Sequence, residues 1–497
     1  MARDDGDETV LDGGRDPRAR GIRGDTMIDE QGMHFTKGER VLVIGLGRSG
    51  LATVEVLRAR GAEVWGVDDK PAEQIEPAIR EIEAAGATFL DREELERVLP
   101  ELGAAVLSPG VPLTTPTVRR VQDRGIPVYS EIEVAYRICR APLLAVTGTK
   151  GKTTTTALLG AMLAADGRVV HVGGNIGNAL IRETASAAPE DWVVAEVSSF
   201  QLESIRSFKP RVSLILNLSP DHLDRYHSME EYREAKLRIF ANQGVGDVFI
   251  GNLDDPYIAP LATDVESYRI PCEAWWFSHE PHRNSALYVR DGKICFAKPG
   301  APRAQALMSV SEIPLLGEHN VYNVMGAAGA ALAAGASAVA IREAVKAFHA
   351  LPHRLQLVAE IEGVRYVDDS KGTNPGAVIA ALKAFESGRI VAICGGKAKG
   401  TDFSEMGDAL DASARAVVLL GEASDAIAAH VVRAPLHRVE SMEEAVERAR
   451  SLAQPGDVVL LAPGCASFDM FESAEQRGQV FTALVEALAQ RGATRGA

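Results

Sequence analysis

Three short apolar runs that each end in a glycine-rich turn constrain the fold of this chain more than any other feature. They occupy residues 40–50, 142–153 and 389–400. A strand that ends in glycines and continues into a helix exposes backbone N–H groups, at which an anion can bind. Between these runs, segments rich in Val, Ile and Leu alternate with charged segments of helical pattern, which is typical of helices packed around parallel sheets. We therefore predict an α/β chain with three nucleotide-fold-like domains in series.

The positions of these runs also predict where the domains begin and end. The length of 497 residues suggests about three domains, at roughly 150 residues per domain. One boundary is expected near residues 133–141, just before the second run, and another near 349–352, where Pro352 stops a helix. The predicted parts are a disordered extension over residues 1–36, a Rossmann-like domain over 37–140, a central P-loop ATPase domain over 141–350 and a Rossmann-like domain over 351–497.

Composition excludes several classes of function. The net charge of −15 argues against nucleic acid binding through a basic surface. The five cysteines include no C-x-x-C pair, which excludes a disulfide scaffold and a cysteine-based zinc module and is typical of a reducing compartment. No apolar run approaches the ~18 residues of a membrane helix, and the first ~33 residues lack the apolar core of a secretory signal. We expect a cytoplasmic protein without nucleic acid or membrane partners.

The first glycine turn has the spacing of a dinucleotide-binding turn. Gly45, Gly47 and Gly50 follow a strand and open a helix. Asp68 and Asp69 end the next apolar strand, and Asp68 lies 18 residues after Gly50, close to the spacing at which an acid can hold a ribose hydroxyl. A later strand ends at residues 108–110 and adds a loop at the same sheet edge. These residues alone leave three interpretations of the turn open: a dinucleotide site, a site for another nucleotide diphosphate, and a purely structural turn.

The second glycine turn predicts a phosphate site. Residues 148–154 read Gly-Thr-Lys-Gly-Lys-Thr-Thr, which contains the Gly-Lys-Thr ending of a P-loop. The backbone N–H groups of such a loop wrap a phosphate, Lys152 neutralises its oxygens and the Thr153 hydroxyl can bind Mg²⁺. The plain alternative is a glycine turn with an incidental lysine.

Three further residues bear on a metal site. Glu196 lies at the end of an apolar strand, where a buried carboxylate needs a partner and a cation can supply it. His222 follows the next strand in a polar loop, and we expect it to face metal or substrate, although a lone histidine is often structural or solvated. Lys236 lies on an amphipathic segment, and the helical pattern alone predicts a solvated lysine.

Taken together, these residues resemble the Mur ligases of peptidoglycan synthesis, from about residue 37 to the end of the chain. The Ser-Ser-Phe-Gln-Leu run at residues 198–202 is similar to the branch of that family that adds D-glutamate. The other segments that carry the resemblance are residues 148–154, 173–177, 196–203, 221–225, 232–236, 317–323, 351–354, 369–374 and 463–467.

The resemblance implies an ATP-dependent ligase that joins D-glutamate to UDP-N-acetylmuramoyl-L-alanine through an acyl phosphate. It implies ATP and two Mg²⁺ ions as cofactors, and we expect a monomer. Lys152, Glu196, His222 and Lys236 would be catalytic. The metal ions would be held by Thr153, Glu196, His222 and Lys236, the last as a carbamate, which is an anionic oxygen ligand suited to a hard cation.

The resemblance also assigns the three substrates to separate sets of residues. The UDP-substrate would be bound by Gly47, Arg48, Ser49, Asp68, Asp69, Lys70, Pro109, Gly110 and Asn175. ATP would be bound by Gly148, Thr149, Lys150, Gly151, Lys152, Thr153, Thr154, Asn320, Asn323, His353, Arg354 and Asp369. The amino acid would be bound by Lys371, Thr373, Lys399 and Ser467, where two lysines suit the two carboxylates of glutamate.

Two hypotheses from other classes compete with the ligase. An NAD-dependent oxidoreductase accounts for the first glycine turn and Asp68 but leaves the P-loop and Glu196 unexplained. A nucleotide-binding switch protein accounts for the P-loop but leaves the first domain and the pair Lys371 and Lys399 without a purpose.

Overall fold

The computed structural model describes residues 35–222, 225–264, 267–398 and 400–495. Most of the predicted N-terminal extension, and the predicted amino-acid ligand Lys399, lie outside these residues. The described chain contains three sheets, and the prediction of an α/β fold with three sheet-based domains in series is confirmed. The predicted boundaries between the domains stay predictions. A search of the described helices finds none with both the length and the apolar character needed to span a bilayer.

The first sheet is wholly parallel, with strand order β3-β2-β1-β4-β5. Its central strand pairs Ile44 with both Val67 and Leu107. The carboxyl ends of three strands therefore meet at one edge, which gathers the loops that follow them. The elements are β1 (Arg40–Ile44), α1 (Arg48–Ala59), β2 (Glu63–Val67), α2 (Glu76–Ala84), β3 (Thr88–Phe89), α3 (Arg92–Val98), β4 (Ala104–Leu107), α4 (Pro116–Asp123), β5 (Val128–Ser130) and α5 (Glu131–Ile138).

The second sheet has the order β14-β13-β12-β11-β10-β9-β6-β8-β7. Its parallel part pairs Val146 with Glu196 and Thr147 with Ile215, which brings the glycine turn beside two later strand ends. The elements are β6 (Leu143–Thr147), α6 (Lys152–Ala165), β7 (Val170–Gly174), α7 (Leu180–Ser186), β8 (Trp192–Glu196), α8 (Ser199–Leu202), β9 (Val212–Ile215), α9 (Met229–Leu237), β10 (Val248–Asn252), α10 (Pro260–Thr263), β11 (Glu273–Ser278), β12 (Ser285–Arg290), β13 (Lys293–Phe296), β14 (Gln305–Ser309), α11 (His319–Ala333) and α12 (Ala338–Ala347).

The third sheet has the order β15-β16-β20-β17-β18-β19, with β15 antiparallel to β16. Its register pairs Asp368 with Leu461 and Gly395 with Gly464, so three strand ends again share one edge. The elements are β15 (Gln356–Ile361), β16 (Val364–Asp368), α13 (Pro375–Leu382), β17 (Ile390–Gly395), α14 (Ser404–Ser413), β18 (Ala414–Leu420), α15 (Ser424–Ala428), β19 (Leu436–Arg438), α16 (Met442–Leu452), β20 (Val458–Gly464) and α17 (Ala474–Arg495).

The chain divides into two compact units. The first unit runs up to Leu307 and includes Met325–Ile341, and the second comprises Met308–Val324 and the chain from Arg342 on. The first and second glycine turns lie in the first unit, and the third lies in the second unit. Each unit is described below by itself.

Candidate active site

A pocket of about 510 Å³ lies at the carboxyl edge of the first sheet. All nine residues predicted to bind the UDP-substrate line it, including Asn175 from the second sheet. The sequence therefore identified a common cavity, although the ligand itself stays a prediction. The nine residues are Gly47, Arg48, Ser49, Asp68, Asp69, Lys70, Pro109, Gly110 and Asn175.

Asp68 holds the first glycine turn in place. Its carboxylate accepts the backbone N–H of Leu46 at 2.8 Å and that of Lys70 at 3.0 Å. Gly50 packs so closely on this turn that a Cβ there would lie 1.9 Å from the carbonyl oxygen of Gly45. Asp68 thus has a structural role in the turn besides any contact with a ribose hydroxyl.

Asn217, which follows β9, connects this strand end to the P-loop through hydrogen bonds. The Asn217 carbonyl accepts the N–H of Thr149 at 2.9 Å, and its side-chain oxygen accepts the N–H of Lys150 at 2.8 Å. Its side-chain NH₂ donates in return to the carbonyl of Lys150 at 2.9 Å. Gly148 and Gly151 adopt φ values of +152° and +79°, conformations that suit glycine. Asn217 thereby sets the shape of the loop that is predicted to bind phosphate.

Lys236 is buried, and the prediction of a solvated lysine from the helical pattern is wrong. Only 2% of it is exposed, and its ammonium donates to the carbonyl of Gly148 at 2.9 Å. Lys152 donates to the same oxygen at 3.0 Å. Burial and then the nearby charge of Lys152 hold the pKa of Lys236 well below its usual value. The two lysines predicted to be catalytic are therefore together at the base of the P-loop.

Tyr232 connects three of the predicted residues and was not assigned a role from the sequence. Its hydroxyl lies 3.1 Å from the Thr149 hydroxyl, and the Lys236 ammonium lies 4.8 Å from its ring centre. The His222 ring meets it edge-on at 6.5 Å. Burial raises the pKa of Tyr232 to about 12. Its position four residues before Lys236, on the same face of α9, is the signal that could have identified it.

Glu196 has the features of a cation ligand. It is 1% exposed, and one carboxylate oxygen accepts the side-chain NH₂ of Asn175 at 2.8 Å. The other oxygen, Oε2, is buried without a hydrogen-bond partner among the described residues, and such a group favours a bound cation.

The protein side chains alone do not complete a metal site. Within the described chain, no group of three or more His, Cys, Asp or Glu side chains is placed to hold a metal ion. His222 is 45% exposed at its side chain and packs edge-on against the Phe200 ring. A cation at Glu196 would need further oxygen ligands, such as the Thr153 hydroxyl, phosphate oxygens or a modified lysine.

The predicted ATP ligands of the second unit form two clusters. Asn323 donates to the side-chain oxygen of Asn320 at 2.8 Å on helix α11. His353 has a φ of +64°, and its Nδ1 lies 2.7 Å from a carboxylate oxygen of Asp368. Burial raises the pKa of Asp369 to about 7, and the charge of Arg354 opposes this shift.

A second pocket, of about 300 Å³, lies at the carboxyl edge of the third sheet. Thr373 and Ser467, both predicted to bind the amino acid, line it. The ammonium of the third predicted residue, Lys371, pairs with the carboxylate of Glu475, which also lines the pocket. Lys397 lines the pocket as well, whereas the predicted ligand Lys399 of the same loop lies outside the described residues.

Arg477 is a buried residue that holds together two of the loops around this second pocket. Only 2% of it is exposed, and its guanidinium donates to the hydroxyl and the carbonyl of Ser370 and to the carbonyl of Cys465. Burial lowers the pKa of Arg477 to about 10. No sequence motif had singled out this residue, because its three acceptors come from loops that are far apart along the chain.

Family models match the chain in three consecutive segments. A model described as "Mur ligase MurD-like, N-terminal domain" matches residues 39–130, "Mur ligase middle domain" matches residues 146–331, and "Mur ligase, glutamate ligase domain" matches residues 353–465.

Similar proteins and structures agree with these models. The chain is 44% identical over 465 residues to the UDP-N-acetylmuramoylalanine–D-glutamate ligase of Acidobacterium capsulatum, covering 92% of this chain and 98% of that protein. It is 41% identical to the enzyme of the same name from Koribacter versatilis, covering 92% and 99%. Among solved structures, the MurF ligase of Thermotoga maritima in complex with ADP matches with a TM-score of 0.57 and 17% identity, covering 92% of this chain and all of that one (100%). The chain belongs to the Mur ligase family.

Proposed function

We propose that this protein is an ATP-dependent ligase that adds D-glutamate to UDP-N-acetylmuramoyl-L-alanine in peptidoglycan precursor synthesis. One structural observation supports the proposal most directly. Asn175 lines the pocket of the first sheet and also donates to Glu196, the buried carboxylate beside the P-loop. The end of a substrate bound in that pocket would therefore meet the γ-phosphate of ATP bound at the P-loop. The relatives that carry this enzyme name support the choice of substrates.

The chemistry requires activation of a carboxylate. A carboxylate is a poor acyl donor, so ATP first phosphorylates the alanyl carboxylate, which yields an acyl phosphate and ADP. The amine of D-glutamate then attacks the acyl carbon, and phosphate leaves. Two anions must approach each other in the first step, and the ammonium of Lys152 offsets their repulsion at the P-loop.

Asn320, Asn323, His353, Arg354 and Asp369 stay predicted ATP ligands, on the resemblance to the family alone. The P-loop residues 148–154 would hold the phosphates of ATP. We propose that two Mg²⁺ ions accompany it, one at Thr153 and Glu196 and one at His222 and Lys236. The unpaired Oε2 of Glu196 supports the first of these sites. When bound, Mg²⁺ would neutralise charge on the phosphate and carboxylate oxygens.

The second metal site requires Lys236 to be carbamylated. An ammonium repels a cation, whereas a carbamate is an anionic oxygen ligand. The neutral amine of a lysine attacks CO₂ to form a C–N bond and releases one proton. Burial and the charge of Lys152, which lower the pKa of Lys236, favour the neutral amine that this reaction uses.

D-glutamate would bind in the pocket of the second unit, with Thr373 and Ser467 as hydroxyl donors and with Lys371 and Lys399 as the predicted cations. We further propose the domain limits 37–140, 141–350 and 351–497, a monomeric state and a cytoplasmic location. These details rest on the resemblance to the family and on the sequence pattern.

Incubation with UDP-N-acetylmuramoyl-L-alanine, ATP, Mg²⁺ and D-glutamate, followed by mass spectrometry of the products, tests the proposal. We expect a UDP-linked product that has gained one glutamyl residue, formed only when all three substrates are present. An absorbance change with a nicotinamide cofactor would instead support an oxidoreductase. ATP turnover at full rate without an amino acid would support a nucleotide-dependent switch.

A further inference from the structure

Lys397 is a cation of the 300 Å³ pocket that the predicted ligand set does not contain. It lies two residues after the end of β17 and lines the pocket together with Thr373 and Ser467. Its backbone N–H donates to the carbonyl of Ala466, the neighbour of Ser467, at 2.8 Å. The three residues therefore reach the pocket from loops that follow three different strands of one sheet edge, as is common for ligand sites in α/β domains.

The backbone next to Lys397, at Gly396, lies close to the loop that contains Ala466. Gly396 has a φ of +130°, and a Cβ there would lie 2.3 Å from the carbonyl oxygen of Ala466. Only glycine, which has no Cβ, permits this approach. The backbone of Lys397 is thus held beside the loop that contains Ser467, and its exposed side chain lines the pocket.

The charge of Lys371, which contacts the lining residue Glu475, is already offset. Lys371 pairs with the carboxylate of Glu475, and this contact lowers the pKa of Glu475 below its usual value. Glu475 therefore stays anionic and offsets Lys371. Lys397 forms no ion pair with any residue in the described part of the chain. Lys397 is therefore a lysine of the described pocket lining whose charge is not already paired with a carboxylate of the described residues.

We infer that Lys397 is a specificity-determining residue of the amino-acid site, whose ammonium binds one of the two carboxylates of a dicarboxylic amino acid. This inference rests on the proposed ligase function and adds a ligand to it. A neutral amino acid lacks the second carboxylate and would forgo this contact. A hydrogen-bonded contact to a charged group is strong enough to change affinity by about 10- to 100-fold.

The test compares wild-type enzyme with Lys397→Met, which removes the charge and keeps a long side chain. We expect the KM for D-glutamate to rise about 10- to 100-fold, with little change in the KM for ATP or for the UDP-substrate. Two amides of D-glutamate, with either the side-chain or the α-carboxylate replaced, locate the contact. The preference for D-glutamate over one of the two amides should shrink towards unity in the variant.

Two further variants separate charge from structure. Lys397→Arg keeps the charge, and its KM for D-glutamate should stay within about threefold of wild type if charge is what matters. Lys383→Met makes the same change of net charge on an exposed residue at the far end of α13, and it should leave every constant unchanged.

The possible results are distinct. Wild-type enzyme that does not ligate D-glutamate would overturn the proposed function and this inference with it. Wild-type enzyme that ligates D-glutamate, combined with an unchanged KM and unchanged preferences in Lys397→Met, would overturn the inference alone. An Arg variant as impaired as the Met variant would show that the lysine shapes the loop and does not bind the carboxylate.

Discussion

Lys152 and Lys236 donate to the same acceptor, the carbonyl oxygen of Gly148, at 3.0 Å and 2.9 Å. Two ammonium groups on one oxygen repel each other, and Lys236 is the more buried of the two. Its pKa is therefore lowered, first by burial and then by Lys152. This arrangement makes Lys236 the lysine that can lose its proton.

Lys236→Ala should be inactive and partly rescued by acetate. The carbamate proposed at Lys236 supplies an anionic oxygen, and a small carboxylate in the space left by the side chain can supply it again. Ligation rates measured at increasing acetate concentration test this expectation, with chloride at equal ionic strength as the control. An alanine variant with near wild-type activity and no acetate dependence would show that the lysine is structural.

Lys152→Met should lose ligation while binding of the UDP-substrate is preserved. Loss of one electrostatic partner of the transferring phosphate costs on the order of 10²–10³ in rate. The pocket of the first sheet does not contain Lys152, so its affinity should change by less than about threefold. Isothermal titration with UDP-N-acetylmuramoyl-L-alanine measures this. A large loss of that affinity would contradict the separation of the two nucleotide sites.

Asn217→Ala should weaken ATP binding specifically. The substitution removes the two side-chain hydrogen bonds to Lys150, each worth about 1 kcal/mol, and the KM for ATP should rise about tenfold. Asn242→Ala is the matched control, because that side chain likewise forms two hydrogen bonds to the backbone, donating to the carbonyls of Arg206 and Phe208. Equal effects of both variants on the KM for ATP would refute the role assigned to Asn217.

Glu131 should make the stability of the protein depend on pH. It is 1% exposed and accepts the N–H of Ile181 at 2.7 Å, and burial raises its pKa from 4.5 to about 7. Between these two values the folded protein binds more protons than the unfolded chain, so the free energy of unfolding falls as pH rises, by roughly 3 kcal/mol in all.

Urea unfolding at pH 5, 6.5 and 8 tests this prediction in wild type and in Glu131→Gln, which cannot ionise. The difference in free energy of unfolding between the two proteins should shift in favour of the variant as the pH rises. If the free energies of unfolding of the two proteins change with pH by the same amount over this range, the raised pKa of Glu131 is contradicted.

The sequence predicted the folds around the three glycine turns because local chemistry determines them. Strand, glycine and helix follow one another directly at residues 40–50 and 142–153. The nine residues predicted for the first pocket have a different origin, because they came from the resemblance to the family. Glu196 was identified for a related reason, since a carboxylate at the end of an apolar strand is conspicuous without any knowledge of its neighbours.

Other features depend on contacts between distant segments and could not be predicted in this way. The spacing of apolar residues along α9 indicates an amphipathic helix but does not show that Lys236 points towards the P-loop. The role of Asn217 depends on the position of a loop 67 residues away. The resemblance pointed to Lys399, and the role of Lys397 could be seen only once the structure placed it in the lining of the pocket.

Phosphate release in the presence of ATP and UDP-N-acetylmuramoyl-L-alanine, measured with a panel of amino acids, tests the central claim most directly. We predict rapid release with D-glutamate and little with alanine, a diamino acid or no amino acid. Equal release with L-glutamate would contradict only the stereochemical preference. Release that is fastest with alanine or a diamino acid, or independent of any amino acid, would contradict the assignment of this chain as the D-glutamate-adding ligase.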